Sequence, residues 1–412
     1  MKTFKYRIYP STAQETQLNQ QLELCRWVYN KTLETRKNSF EQFGISLSFY
    51  DTKKMLPDWK AEKPDLKRVH SMVLQDVTLR VDLAFQAFFR RVKAGALRQD
   101  FGVSAQSNAQ GAAGELTFGE LSRAVEPGYP RFKGYQRYDS MCYPQYGNGV
   151  KLDGNRLNLS KIGSVKVNLH RELRGKPKTV CIRRSSTGKW FATFACACEP
   201  IRLPDEPKRI GIDVGTATFA TLSDGSKVKN PRFFKRDVKR LADAQRRLER
   251  EAKGTPGRTK RKKVVARIHE RIANKRTDFA HKLSRQWVNA YGVIVLEDLN
   301  ITGMMAEHKV IFGYKLNKSI ADVAWHQLAQ FTLYKAADAG RLCLQVDPRN
   351  TSKMCSRCRS LVPKELSDRV HNCPHCGLVL DRDHNAAINI LARGLASINA
   401  DSSDVVVEAH PL

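Results

Sequence analysis

The chain opens on an alternation: Phe4, Tyr6 and Ile8 are separated by Lys5 and Arg7 and run up to Pro10, which predicts a half-buried strand. The period then lengthens. Leu18, Leu22, Cys25, Tyr29 and Leu33 recur at helical steps, predicting an amphipathic helix with Lys and Arg on its outer side. Val73, Leu74, Val77, Val81, Phe85 and Phe88 predict a second helix that ends in Arg90, Arg91 and Lys93. From 94 to 128 the sequence turns to Ala, Gly, Gln and Ser with scattered Glu, the composition expected of a mobile insertion loop. Short alternating runs return between 129 and 204, among them Val150 to Leu152, Ser164 to Val167 and Thr179 to Arg183, with Gly, Asn and Asp between them. They predict a small barrel or sheet. The first strand has no strand beside it in sequence, so it is expected to complete this later sheet, with the helices of 11–93 inserted between the two parts.

Charge changes the picture. Lys and Arg total 71 against 41 acids, a formal charge of +30, which makes nucleic acid the leading partner. Residues 227–285 hold 22 Lys and Arg against six acids, so over half of the excess lies in this one segment. Leu241, Leu248, Val265, Ile268 and Ile272 keep helical spacing on either side of Gly254-Thr255-Pro256-Gly257, which predicts a basic helical hairpin laid along phosphates. The longest apolar run, Trp190 to Cys198, is too short to span a bilayer, which takes roughly 20 residues. No secretory signal opens the sequence, and a cytoplasmic location without membrane contact is expected.

Three acidic segments carry candidate chemistry. Arg209 to Gly215 reads as a buried strand bearing Asp213, Val293 to Asp298 as a second ending in Glu297 and Asp298, and Asp381-Arg382-Asp383 leads into a helix through Ile388, Ile390, Leu391 and Leu395. Carboxylates at the ends of buried strands are costly unless compensated. Three brought together would bind Mg²⁺ or Mn²⁺, and two such ions could drive phosphodiester cleavage. Neighbours on a strand face opposite ways, so only one of Glu297 and Asp298 can join such a site; Asp381 and Asp383 pose the same choice, with a helix N-cap as the other role. No Gly-rich phosphate loop accompanies them, which argues against nucleotide triphosphate hydrolysis. Cys355-x2-Cys358 and Cys373-x2-Cys376, 14 residues apart, have the spacing of a structural zinc ribbon. The other six cysteines, Cys25, Cys142, Cys181, Cys196, Cys198 and Cys343, read as plain core residues.

Taken in order, the Cys25-Arg-Trp-Val-Tyr-Asn helix, Pro130-Arg-Phe-Lys, Gly211-Ile-Asp-Val-Gly, Leu296-Glu-Asp-Leu, Thr351-Ser-x-x-Cys-x-x-Cys, Cys373-Pro-x-Cys-Gly and Asp381-Arg-Asp-x-Asn-Ala-Ala resemble the TnpB family of transposon-encoded proteins, compact relatives of the type V CRISPR effectors. The resemblance covers residues 1 to about 398. It implies a mixed α/β multidomain protein: an RNase H-like (RuvC) nuclease domain with an inserted four-cysteine zinc ribbon, and a β-barrel wedge domain interrupted by a helical recognition insertion. The implied boundaries are wedge 1–10 and 129–204, helical recognition 11–128, nuclease 205–347 and 381–398, ribbon 348–380 and tail 399–412.

The activity the resemblance implies is RNA-guided, Mg²⁺-dependent (or Mn²⁺-dependent) cleavage of DNA beside a short adjacent motif. Asp213, Glu297 and Asp383 would hold the ions and carry catalysis, and Cys355, Cys358, Cys373 and Cys376 would hold one Zn²⁺. The implied partners are a guide noncoding RNA from the transposon end and double- and single-stranded target DNA, with the protein a monomer on its RNA. Candidate nucleic-acid contacts are Phe49, Tyr50, Gln75, Arg131 and Lys133, with Arg246, Arg247, Lys260, Arg261, Lys262 and Lys263 from the basic hairpin. A nuclease-inactive RNA-guided repressor and a transposase acting on transposon ends are the alternatives. Two departures stand out: 94–128 is longer than the family's usual link, and Arg359 stands where Gly is common after the first cysteine pair.

Overall fold

The computed structural model describes residues 1–104, 128–135, 137–301, 304, 310–311, 314–315, 322–365 and 367–403. The chain divides into two units, Met1–Cys198 and Glu199–Leu412.

The first unit is built on one antiparallel sheet. Its strands are β1 (Lys2–Tyr9), β2 (Ser140–Tyr143), β3 (Val150–Asp153), β4 (Arg156–Leu159), β5 (Gly163–Asn168), β6 (Lys176–Arg184) and β7 (Trp190–Ala197), in the order β2-β6-β7-β1-β5-β4-β3. β1 lies in the middle, antiparallel to both β5 and β7, so a strand from the start of the chain pairs with strands more than 150 residues later. Edge strands β2 and β3 are consecutive in the chain and joined by a short turn in which the Gly147 N–H donates to the Val150 carbonyl (2.9 Å). Among the described residues no ladder pairs them, so the expected barrel is a nearly closed sheet.

Between β1 and the rest of this sheet the described residues form the α-helices α1 (Thr12–Phe43), α2 (Phe49–Lys54), α3 (Leu56–Glu62) and α4 (Ser71–Ser104) and a short 3-10 turn at Pro64–Arg68. α1 starts where Ser11 accepts from the Gln14 N–H and the Gln14 side chain accepts from the Ser11 N–H, a reciprocal capping box. It stops at Gly44, whose φ of 66° few other residues tolerate. The apolar stripes of α1 and α4 meet the sheet in one core that holds Leu18, Leu22, Val77, Val81, Tyr6, Phe194 and Trp190. α4 runs on through Ser104, past the point where a loop was expected: a continued helical stretch with Ala, Leu and Arg offsets Gly95 and Gly102. The remainder of that expected insertion, 105–127, lies outside the described residues.

Two cysteines depart from expectation. Cys142 on β2 and Cys181 on β6 form a disulfide. They stand directly opposite in the ladder and alternate with the buried Met141, Tyr143, Val180 and Ile182, so both thiols leave the core face together. Cross-strand register, invisible in a linear separation of 39 residues, brings them to a Cα distance of 4.0 Å.

The second unit carries a five-stranded sheet of β8 (Arg209–Val214), β9 (Thr218–Leu222), β10 (Lys227–Lys229), β11 (Val293–Glu297) and, after a short hairpin β12 (Val310–Ile311) and β13 (Tyr314–Lys315), β14 (Leu342–Val346). Its order is β10-β9-β8-β11-β14: the first three form an antiparallel meander, and β11 and β14 then add in parallel to β8. The basic segment therefore begins as a strand, at Lys227–Lys229, before it becomes a hairpin of α5 (Phe233–Glu249) and α6 (Pro256–Ala290). The hairpin has its own small core of Leu241, Ile268 and Ile272. The far half of α6 joins α7 (Trp325–Ala339) over the sheet, burying Leu283, Trp287, Val288 and Leu328 with Ile210, Ile212 and Ile294.

α8 (Arg382–Ser403) crosses the sheet and continues into the expected tail, of which 404–412 lies outside the described residues. Two glycines let it come close. A Cβ at Gly211 of β8 would meet the Ala387 carbonyl oxygen at 2.3 Å, and one at Gly394 of α8 would meet Val295 of β11 at 2.4 Å. Gly211→Ala is expected to push helix from strand and to destabilise the unit by about 1–3 kcal/mol, read as a lowered midpoint of thermal unfolding.

Candidate functional site

The parallel register of β8 and β11 pairs Ile210 with Ile294 and Ile212 with Leu296, so the next residues, Asp213 and Glu297, come side by side at the carboxyl ends of adjacent strands. In parallel α/β sheets this is the end where ligands bind. α8, held against both strands by Gly211 and Gly394, supplies Asp383 from its first turn.

The three carboxyls lie near enough for their charges to act on one another. Asp213 is held well above the ordinary carboxylate range, first by burial and then by the charges of Glu297 and Asp383. Glu297 is raised by burial, against a hydrogen bond from Thr351 and the charge of Arg393, with Asp383 adding repulsion. Arg382 gives partial relief, with Nε 3.2 Å from Asp383 Oδ1.

The structure separates the two ambiguous pairs. Glu297 Oε1 accepts from the Thr351 hydroxyl at 2.7 Å, while the side chain of Asp298 is exposed. Asp381 Oδ1 accepts from the N–H groups of Asp383 and His384, and its Oδ2 pairs with Lys227 Nζ at 2.7 Å. Asp381 thus caps α8, and those hydrogen bonds with the Lys227 charge keep it below the usual carboxylate range although burial opposes them.

Hard oxygen donors whose mutual repulsion is only partly compensated fit a divalent cation such as Mg²⁺ or Mn²⁺. Beside Glu297, a cavity of about 130 Å³ is lined by Asp298, Trp325, His326, Gln330 and Gln345 among others.

The cysteine tetrad lies in the same unit. The Sγ atoms of Cys355, Cys358, Cys373 and Cys376 all fall within 4.8 Å of one another, with Cys355 to Cys376 at 3.6 Å and Cys358 to Cys373 at 3.5 Å. Four converging thiols suit a closed tetrahedral site for Zn²⁺. The two knuckles are built alike: the Arg359 N–H donates to the Cys355 carbonyl and the Gly377 N–H to the Cys373 carbonyl, with φ of 65° and 71° at Arg359 and Gly377. Arg359 adopts the left-handed turn that glycine would take more easily, and its guanidinium donates to Asn389 Oδ1 at 3.1 Å.

The candidate nucleic-acid residues fall on both units. In the first unit Tyr50 is 70% exposed beside a half-buried Phe49, and Gln75 is half-buried on α4. The exposed Arg131 and Lys133 sit on a segment tied to α1, where the Lys133 N–H donates to Asn30 Oδ1 and its carbonyl accepts from Asn30 and Arg26. In the second unit Lys260, Lys262, Lys263 and Arg247 are exposed on the hairpin. Arg246 pairs with Asp243, and Arg261 with Glu251 at 3.5 Å. Arg240, Arg247 and Arg261 border a cleft of about 370 Å³ between α5 and α6.

Sequence reading assigned no role to Thr351, Lys227, Asn385 or Asn389. Two positional signals exist: Thr351 stands four residues before Cys355, and the two asparagines lie one helical turn apart just after Asp383.

An acidic centre across two parallel strands and a helix shares its unit with a four-thiol cluster, and the fold matches that of a solved structure titled a mini-RNA-guided endonuclease, CRISPR-Cas_phi3: TM-score 0.51 at 9% identity, covering 95% of this chain and 92% of that one. Residues 193–307 match the family described as "Probable transposase", 325–390 a "Cas12f1-like, TNB domain" and 1–44 a "Helix-turn-helix domain". A "Putative RNA-guided DNA endonuclease" of Streptomyces pristinaespiralis is 33% identical over 96% of this chain and 90% of its own length. The one named InsQ, from Escherichia coli K12, is 29% identical over 100% and 96%. The chain belongs to the TnpB family. No helix among the described residues is long and apolar enough to cross a membrane.

Proposed function

We propose that the protein is an RNA-guided DNA endonuclease whose cutting centre is Asp213, Glu297 and Asp383. The observation that carries this reading is the convergence of three half-buried carboxyls, whose charges repel, at one sheet end. These side chains would hold the divalent ions. A bound pair would activate the attacking water and stabilise the leaving oxygen of a phosphodiester. What the chain itself contributes is a rigid frame: two parallel strands and a close-packed helix fix the three acids before any substrate arrives.

The meander followed by two parallel strands is the strand order of an RNase H-like domain, here residues 205–347 and 381–398, with the ribbon of 348–380 inserted and 399–412 as a tail. In this reading the sheet of 1–10 and 129–204 is the wedge that grips the RNA scaffold, and the helices of 11–128 line the guide–target duplex. Phe49, Tyr50, Gln75, Arg131 and Lys133 are proposed contacts there. Arg246, Arg247, Lys260, Arg261, Lys262 and Lys263 meet phosphates along the hairpin and release counterions on binding. Base pairing with the guide supplies most of the sequence specificity, and protein contacts to the adjacent motif and to backbone shape supply the rest.

The experiment is to purify the protein expressed with its native flanking DNA, sequence the RNA bound to it, and test cleavage of a plasmid matching that RNA. One discrete RNA whose 3′ portion programs a Mg²⁺-dependent cut is the expected result. Heterogeneous RNA with no programmed cut, or joining of transposon ends, would overturn the reading in favour of a transposase; programmed binding without a cut would favour the repressor.

A further inference from the structure

The contacts around Glu297 lead away from the sheet and into the cysteine ribbon. Thr351, 5% exposed, places its single hydroxyl proton between Glu297 Oε1 at 2.7 Å and the Pro348 carbonyl at 3.1 Å. The shorter contact is to the carboxylate, where a charged acceptor makes the stronger bond. With one oxygen taken, the carboxylate loses its freedom to rotate about its last torsion.

Thr351 is itself held from the other side. The Asn389 side-chain amide donates to the Thr351 carbonyl at 2.9 Å and to the Met354 carbonyl at 2.7 Å, and Asn385 donates to the same Met354 carbonyl at 2.8 Å. Asn385 Oδ1 accepts from the Ser356 N–H at 2.9 Å, and Asn389 Oδ1 from Arg359. Both asparagines are fully buried. Buried amides with donor and acceptor both engaged fix the backbone they grip. The stretch 351–359, which begins with Thr351 and contains Cys355 and Cys358, is therefore bolted to α8, the helix that also carries Asp383. The path is a closed ring: Asp383, α8, Asn389, Thr351, Glu297 and back across the site.

Resting on the nuclease reading above, we propose that Thr351 is a positioning residue that aims Glu297, and that the first cysteine knuckle, clamped by Asn385 and Asn389, is the support that keeps Thr351 in place. The ribbon then has a second task besides folding itself. It braces one of the three acids, and a loosened knuckle lets Glu297 swing even when every carboxylate is present. Outer partners of metal-holding carboxylates commonly change metal affinity or rate by about 10–100-fold.

Thr351→Val keeps the shape and removes the hydroxyl; Thr351→Ser keeps the hydroxyl and removes the methyl. For guide-loaded protein the valine variant is expected to retain about one zinc per chain and wild-type target binding. It should cut about 10–100-fold more slowly, need more Mg²⁺ for half-maximal rate, and bind Mn²⁺ more weakly by electron paramagnetic resonance of the free ion. Serine should restore rate and Mn²⁺ affinity to within a few-fold. Wild-type rate and Mg²⁺ requirement in the valine variant would overturn the proposal, as would a serine variant no better than valine, which would make the role one of packing. Asn389→Ala tests the clamp: faster hydrogen exchange across 351–359 together with slower cutting supports it, and unchanged cutting overturns it. Asp213→Ala separates the two readings. If it is dead while Thr351→Val is normal, only the positioning role falls; if it too cuts normally, the nuclease centre itself is misassigned.

Discussion

Asp213→Asn is expected to abolish programmed cleavage while making the protein more stable. The first effect follows from removing a carboxylate at the centre of the acidic set, a loss on the order of 1,000-fold or more, equivalent to about 4 kcal/mol of transition-state stabilisation. The second follows from the cost of the wild-type residue: burial and the charges of Glu297 and Asp383 both oppose ionisation of Asp213. A carboxyl whose folded pKa lies above its unfolded value binds its proton more tightly in the native state. Its ionisation therefore erodes stability as pH rises through the ordinary carboxylate range toward the raised folded value. In metal-free buffer the variant's advantage should be absent in strong acid, grow with rising pH and level off above the raised value. Thermal unfolding across pH measures it, with guide RNA and target binding near wild type as controls. A variant that loses cleavage and stability together would point to a structural role for this side chain.

Stripping the metal, or Cys373→Ser, is expected to unfold 348–380 and stop cleavage. The ribbon's apolar cluster holds Cys355, Val362 and Cys373 with Cys376 and Leu378 packed beside them, too little buried area to order a segment of this length. Its strands β15 (Val370–Asn372) and β16 (Val379–Asp381) are three residues each. Four thiolates on one zinc contribute about 10 kcal/mol or more in comparable sites, enough to decide whether the segment folds. The expected readings are about one zinc per chain in the intact protein, and in the stripped protein loss of amide protection and new proteolytic cuts confined to 348–380. A stripped protein with a protected ribbon would show that packing alone suffices.

Periodicity made most of the elements legible, because side chains at steps of two and of three to four have to share a face wherever one face is buried. The strand around Phe4, Tyr6 and Ile8 and the stripe through Leu18, Leu22 and Cys25 are in the core for that reason. The cysteine spacing was equally plain, since a knuckle is a local structure. What stayed hidden was set by partners far along the chain. Asp381 meets Lys227 and Glu297 meets Thr351, contacts that span 154 and 54 residues. The Cys142–Cys181 bond depends on the register of β2 against β6, which no local pattern encodes. The end of α4 was misplaced because the Ala- and Gln-containing stretch after Lys93 has a loop-like composition yet sufficient helix propensity to carry on.

Under the proposed nuclease reading, the order of the acids along the chain matters for a protein made beside the DNA that encodes it. Asp213 and Glu297 emerge from the ribosome on neighbouring strands, but Asp383 arrives only with α8, after the whole ribbon has been made. The sheet that contains β1 and β7 is complete by residue 197. On that reading a nascent chain completes its first sheet while the proposed cutting centre is still one carboxylate short, and translation itself acts as a safety catch.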